Sequence, residues 1–495
     1  MSAIFQTVQA LHERVSRSAF RTPMLWGMLL VVFLLIYMPM LVRGGYHWDE
    51  TLDFAGQGME TYVANGRWGL VLWRWVFGLG CAVWLNGLLA GGLLVAAMVV
   101  QLRVLRVEHT GAQLLYGLLY LVQVQFAYQM DYFYQCDATA AGVLCVSLAV
   151  PCLQRGGRGA LLGATLAVLF AVAVYQCLVL NFAVLLGLVV VQRMLAGERA
   201  ELWRSLGRGA AVCVLAVLGW WGIKALVLQL APVSDNVLVY CAEYAERINY
   251  REQLFSAEWY VYLWRMFSTM VRDALIPLTY DGELFYAAAA LAGMVLAVAL
   301  CRRSAGVGAA VGRVLLLFAL WVAPFSMYMV VGETWPCYPH TKMAQPLVLA
   351  AFWVLVVQYV PWRPLWRGVG LCALLVCTVQ AATLVARHAA HMQARFEERL
   401  MRLHHAETEG VRVAVQHGIT PSKGCILYYT STHDWSRGGF VDFCGDYPAL
   451  LYMRGATDAE LYRLHRATLR EMSEWPAAGS VRVVGDKVII KGSEI

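Results

Sequence analysis

Apolar residues in this chain come in long uninterrupted runs, the first at 24–42 and the last at 368–386, with clusters of Arg set between them. A helix needs about 20 predominantly apolar residues to cross the hydrocarbon core of a bilayer, and runs of this length are far longer than a soluble strand or the buried face of a soluble helix requires. Hydrophobic residues make up 60% of the 495 positions and charged residues 14%. An average soluble domain is roughly a quarter charged, so lipid is the main solvent this composition suits.

About eleven membrane-spanning helices are expected, at 24–42, 76–100, 111–128, 137–153, 160–174, 177–192, 209–231, 284–301, 313–330, 344–360 and 368–386. The 160–192 stretch is divided by charge. Arg155 and Arg158 precede it and Arg193 follows it, and Arg favours the cytoplasmic side, so the stretch reads as a hairpin turning near Tyr175 and Gln176. With the N-terminus inside, the loops at 101–110, 154–159, 193–208, 302–312 and 361–367 all face the cytoplasm and all carry Arg. The opposite loops, 43–75, 129–136, 232–283 and 331–343, hold most of the Asp, Glu, Tyr, Trp and His, so chemistry is expected there. An odd number of spans also carries 387–495 to that outer side.

The segment 1–23 reads as a cytoplasmic amphipathic stretch, with His12, Arg14, Arg17 and Arg21 among apolar residues. The run after it is too long for a secretory signal core and lacks a small-residue cleavage site, so it is taken as the first span. The domain plan is therefore 1–23, a membrane domain at 24–386, and a C-terminal domain at 387–495. That last part opens with a charged helical pattern and continues with strand-like runs at 425–429 and 481–484 and a helical pattern at 457–474, which together predict a small α+β fold. Formal charge is +7, but the Arg clusters track the spans, which fits topology and not nucleic-acid binding. The cysteines within the apolar runs read as packing residues, and their spacing predicts no structural metal. Cys425 and Cys444 of the C-terminal domain are equally consistent with a disulfide and with two thiols, and Lys487 and Lys491 with lipid-phosphate contact and with ordinary surface.

The first outer loop carries the strongest local pattern, Gly44-Gly45-Tyr46-His47-Trp48-Asp49-Glu50, followed by Asn65-Gly66-Arg67-Trp68. Adjacent carboxylates just past a span, then an Arg, are the residue types of a general base and a phosphate-binding cation. They are equally the residue types of a solvated acidic loop. The strip Gln125, Tyr128, Gln129, Asp131, Tyr132, Tyr134, Gln135 and Asp137 suits sugar, whose rings stack on aromatic faces while amides and carboxylates bond hydroxyls; an interfacial aromatic belt has the same composition. His340 and Lys342 close a third outer loop, 333–342, as further cations. Lys224 stands near the middle of the expected span 209–231, where a cation costs roughly 2.5–3.5 kcal/mol on insertion scales unless it snorkels or pairs. Part of 232–283 reads as an amphipathic helix along the surface.

A first span ending in the acidic pair Asp49-Glu50, a loop closing on Gly66-Arg67-Trp68, and a later Tyr175-Gln176 in a hairpin together resemble the family-II O-antigen glucosyltransferases, whose plan is similar to that of the GT-C class. The family pattern has two Asp where this chain has Asp49-Glu50, and Gly-Arg-Pro where it has Gly66-Arg67-Trp68. The resemblance implies a membrane glycosyltransferase that moves a hexose, glucose first, from a polyprenyl-phosphate carrier to a surface polysaccharide such as O-antigen on the periplasmic face of the bacterial inner membrane. It implies Asp49 as first choice of base and Glu50 as second, Arg67 at the lipid phosphate with His340 and Lys342 as companions, and Asp131 and Asp137 as sugar-binding candidates. No organic cofactor is implied, and no carboxylate cluster demands a divalent metal. The rival reading is a transporter or flippase of lipid-linked sugars, which places ionisable residues and broken helices near the midplane.

Overall fold

The computed structural model describes residues 21–43, 58–77, 83–130, 132, 134–198, 202–231, 233, 237, 256–275, 286–326, 341–421, 425–430, 439–442 and 467–492. These residues group into two compact units: one within 1–42, 65–231 and 241–387, the other within 43–64, 232–240 and 388–495. The helices in chain order are α1 (Arg21–Arg43), α2 (Gly58–Ala64), α3 (Trp68–Phe77), α4 (Val83–Val104), α5 (Thr110–Leu121), α6 (Val124–Met130), α7 (Cys136–Arg155), α8 (Arg158–Val174), α9 (Leu178–Leu195), α10 (Leu202–Leu230), α11 (Trp259–Leu275), α12 (Tyr286–Arg302), α13 (Val307–Val322), α14 (Gln345–Tyr359) and α15 (Arg363–Gln416). Four strands follow, β1 (Ile426–Thr430), β2 (Gly439–Asp442), β3 (Val481–Val484) and β4 (Lys487–Lys491).

The first unit is a helical bundle. Among the described residues six helical stretches are long and apolar enough to cross a membrane: Trp84–Val104, Cys136–Arg155, Leu178–Leu195, Arg204–Leu230, Val307–Phe325 and Arg363–Arg387. Four shorter apolar helices join them, Leu25–Leu41, Arg158–Val174, Ala288–Arg302 and Gln345–Tyr359. The chain is therefore a membrane protein. At the bundle centre α14 is buried on every side from Gln345 to Val357, as an all-round apolar helix must be. The outward side of α10 instead leaves Leu215, Leu218, Trp221 and Leu226 exposed.

Three expected spans are corrected. The run at 76–100 begins inside α3 and continues as the separate α4. The run at 111–128 is two helices, because Val122 leaves the helical region at φ −93 and ψ 64. The Tyr37 hydroxyl lies 2.9 Å from both the Leu121 and the Gln123 carbonyls, and the Gln123 side chain donates to the Leu119 carbonyl at 2.7 Å. A buried break in a helix is stable only when its freed carbonyls find such donors. The third run, 209–231, starts earlier, at Leu202, and ends at Leu230, so Lys224 lies six residues short of the helix end, about 9 Å at 1.5 Å per residue.

Close helix approach rests on glycine. A side chain at Gly87 or Gly91 of α4 would run into Leu41 or Phe33 of α1, and one at Gly117 of α5 would meet Leu29, the small-residue packing that membrane helices use. A buried polar network crosses the same region. Tyr116 donates to Gln101 at 2.8 Å, and the Gln101 amide donates to Ser147 at 3.0 Å.

One end of this bundle gathers the Arg-bearing loops. Arg106 pairs with Glu198, Arg303 donates to the carbonyls of Leu195 and Tyr359, Gln358 donates to the Arg106 carbonyl, and Gly156 lies beside Arg208. The turn between α7 and α8 is made by Gly156 and Gly157, both at positive φ (74 and 85), where only glycine sits without strain. Helices α8 and α9 part at residues 175–177, where the hairpin was expected.

In the second unit, β1 pairs antiparallel with β2 and parallel with β4, and β4 antiparallel with β3, in the order β2-β1-β4-β3. The period-two alternation of strands sends Ile426, Tyr428, Val488 and Ile490 to one face, against Ala406 and Ala414 of the last turns of α15. Leu427, Tyr429 and Ile489 go to the other, against Leu469 and Met472. Of the helix expected at 457–474, the described part is helical at 467–471. Lys491 is not available to lipid phosphate: it is buried, and its ammonium donates to the Met472 carbonyl at 2.8 Å. Cys444 lies outside the described residues.

Candidate active site

At the bundle end opposite the Arg loops stand the start of α3, the start of α7, the α8–α9 turn and the end of α10. They converge on the turn Asn65-Gly66-Arg67. The Gln176 amide donates to the Asn65 carbonyl at 2.8 Å, and the Trp220 indole donates to the Gly66 carbonyl at 2.7 Å. Gly66 has φ +77, and a Cβ there would stand 2.6 Å from the Trp220 ring and 3.0 Å from Cδ of Lys224. Glycine is thus required twice over, for conformation and for space.

This clamp fixes Arg67. Its guanidinium lies over the Tyr175 ring, 4.9 Å from the centroid, and donates to the Gln135 side chain at 3.2 Å. A planar guanidinium stacked on an aromatic face and bonded to an amide keeps little rotamer freedom. Gln135 is the residue before α7, so the first turn of that helix ties Arg67 to its neighbour Asp137.

Asp137 is 1% exposed. One carboxylate oxygen pairs with Arg74 of α3 and the other accepts from the Trp73 indole at 2.9 Å, while Arg74 also lies over the Tyr134 ring at 4.9 Å. A charge pair this deep is costly to form and more costly to halve, since either partner alone is a desolvated charge. Both oxygens of Asp137 are therefore engaged in holding α3 against α7 beside Arg67. Trp73 and Arg74 were not singled out from the sequence; an Arg inside the apolar run Trp68–Phe77 is the signal that marks them.

Lys342, just before α14, is fully buried beneath Phe325, its ammonium 5.0 Å from the ring centroid. Around it Asn181 donates to the Met343 carbonyl at 3.0 Å and Gln125 bonds Gln345. The strip expected at the outer ends of the third and fourth spans is partly here: Gln125, Gln129, Gln135 and Asp137 are all buried. Asp49, Glu50, Asp131 and His340 lie outside the described residues. Among the described residues no group of three or more His, Cys, Asp or Glu could hold a metal ion.

The family model described as Glucosyl transferase GtrII matches residues 38–357. The chain belongs to this family. No curated protein and no solved structure matches it. The matched stretch takes in the Asn65–Arg67 turn, Asp137, the Tyr175-Gln176 hairpin turn, Lys224 and Lys342, so every described part of the cluster lies within the GtrII match. Membership makes this GtrII chain a glycosyltransferase, an enzyme that transfers glucose to a glycan.

Proposed function

We propose that the enzyme transfers a hexose, glucose first, from a polyprenyl-phosphate carrier to a surface polysaccharide such as O-antigen, at the periplasmic face of the bacterial inner membrane. The observation that carries this reading is the Arg67 guanidinium, stacked on Tyr175 and bonded to Gln135 at the bundle end away from the Arg loops. Arg-rich ends favour the cytoplasm, so Arg67 belongs at the outer leaflet, at the depth of a lipid headgroup. In the transfer an acceptor hydroxyl oxygen attacks the anomeric carbon, the bond from that carbon to the phosphate oxygen breaks, and the phosphate leaves with the electron pair. Asp49 takes the hydroxyl proton, with Glu50 as its alternate. Arg67 stabilises the charge that grows on the leaving phosphate, a task suited to a bidentate cation.

Asp137 acts as a positioning residue, keeping α3 and hence Arg67 in place, and Lys342, His340 and Asp131 are assigned to the surround of the donor and acceptor sugars. The segment 387–495 is proposed as an extracytoplasmic domain that meets the acceptor glycan, with 24–386 as the transferase body and 1–23 on the cytoplasmic side. The test is mass spectrometry of surface polysaccharide from cells carrying the wild-type chain, Asp49→Asn, Glu50→Gln or no gene. Loss of the added hexose in Asp49→Asn, at normal protein level, is the expected result. Unchanged modification in both variants would remove the transferase roles of these carboxylates, and a lipid-linked sugar stranded on the cytoplasmic side in the strain without the gene would favour transport.

A further inference from the structure

Three buried amides at the starts of α6, α9 and α14 have no part in the transfer as described. Gln125 is the second residue of α6, Asn181 stands in the first turn of α9, and Gln345 opens α14; each is at most 3% exposed. They form one group: Gln125 donates to the side-chain oxygen of Gln345, and Asn181 donates at 3.0 Å to the carbonyl of Met343, two residues before Gln345. Trp321, buried near the end of α13, joins the group through a chain of rings. Its indole lies parallel to the Tyr286 ring at 6.2 Å, Tyr286 packs on Phe325 at 5.4 Å, and Phe325 lies over the ammonium of Lys342, the residue before Met343.

What these side chains leave unbonded identifies the ligand. Among the described residues, Gln125 Oε1, Asn181 Oδ1, Gln345 Nε2 and Trp321 Nε1 are buried and find no hydrogen-bond partner. A buried polar atom without a partner loses its hydration and gains nothing in return, so folded proteins hold few of them and each calls for a physical reason. Here two acceptors and two donors gather at one bundle end, none of them charged. Exchanging oxygen and nitrogen in both glutamines keeps that balance. An anion would face two acceptors, and a cation two donors. A hydroxyl gives its proton to one atom and accepts from another, so a neutral polyhydroxyl molecule satisfies all four. Helix α9 links the group to the Asn65–Arg67 turn, since Asn181 is five residues past Gln176, whose amide holds the Asn65 carbonyl.

We infer that Gln125, Asn181, Gln345 and Trp321 form a subsite that bonds hydroxyls of the glucose being transferred. This deepens the proposed function and rests on its polyprenyl-phosphate hexose donor. Amides that bond hydroxyls beside an aromatic ring are the groups a sugar site needs. The subsite also gives the enzyme a means of choosing its sugar. A site that pairs with a hydroxyl rejects the analogue lacking it, because its own buried atoms are then left unpaired.

The test is sugar transfer by the full chain in nanodiscs, from polyprenyl-phosphate glucose and from analogues of it that each lack a single hydroxyl. Wild type is expected to prefer glucose over at least one analogue by about ten-fold or more in kcat/KM. In Asn181→Leu and Gln345→Met that preference should fall to near parity for the hydroxyl each residue bonds, with the preferences at other positions kept. A substitution that only loosens the bundle slows every donor alike and leaves these ratios where they were. Wild type showing no such preference against any analogue overturns the subsite, and this readout needs no variant to fold. Ratios unmoved in both variants also overturn it, and leave water as the partner of these atoms. A wild-type enzyme that uses none of these donors refutes the polyprenyl-phosphate donor itself, and the subsite with it, whereas one that uses glucose with unmoved ratios refutes the subsite alone.

Discussion

Arg74 and Asp137 show how a single buried pair supports a site it does not enter. Each is 1% exposed, and their pairing joins the start of α7 to α3 directly beside Arg67. Removing one partner strands the other charge in an apolar interior, which costs about 3–5 kcal/mol. Asp137→Asn and Arg74→Met are therefore expected to lower the thermal unfolding midpoint in detergent and to cut the yield of folded protein, with the double variant Arg74→Met/Asp137→Leu recovering most of both. A double variant no better than either single one would show that the ion pair itself, and not the burial of a lone charge, sets the stability. At this scale the sequence was informative about residue type and silent about partners. Asp137 reads as a sugar ligand in a polar strip, and only the packing of α3 reveals that its oxygens are spent on Arg74 and Trp73. Lys224 reads as an expensive cation at mid-span, and the structure sets it six residues from the end of α10, with its stem against Gly66.

Among the elements, α15 and the four-stranded sheet depend on one glycine. A Cβ at Gly410 would stand 2.6 Å from Ile426 and 2.9 Å from Ile490, both in the core that the helix covers. Gly410→Val is expected to force helix and sheet apart and to raise protease sensitivity of 388–495 while leaving the bundle folded, as read by limited proteolysis with mass mapping. Overpacking of this kind costs typically 1–3 kcal/mol. In the same turn Glu409 and Arg412 pair across three residues. The Arg412 guanidinium, chiefly by hydrogen bonding, holds the Glu409 carboxyl below its ordinary value of 4.5. A carboxyl with a lowered folded-state pKa adds stability above its unfolded value and loses it as pH falls through the folded one. Any difference in unfolding midpoint between wild type and Glu409→Gln should thus be small at pH 7, smaller in high salt because the pair is exposed, and gone well below pH 4.5. Two of the four strands of this unit were legible from the sequence, β1 at 425–429 and β3 at 481–484 to within a residue. The split of 111–128 was not, because the break at Val122 is stabilised by the Tyr37 hydroxyl from another helix.

For the whole molecule the expectation concerns sidedness. Contacts among Arg106, Glu198, Arg303, Gln358 and Arg208 bring the Arg-bearing loops to one end of the bundle, and such an end is retained in the cytoplasm. A reporter that fluoresces only in the cytoplasm should light up when fused after Gly197, and a phosphatase active only outside the cytoplasm should be active when fused after the last residue; the reverse pattern would put Arg67 on the cytoplasmic side and end the proposed mechanism. The sequence by itself determined that the chain lives in lipid, where its apolar runs lie, and which loops share an end, because hydropathy and charge act locally and need no partner to be read. Only the tertiary structure decided what the polar residues do. The Asn65–Arg67 turn is held by Gln176 and Trp220, Arg67 by Gln135 and Tyr175, and Asp137 by Arg74, each a contact between residues at least 60 positions apart in the chain. A polar side chain in an apolar bundle takes its role from whichever partner satisfies it, and that partner is chosen by how the helices pack.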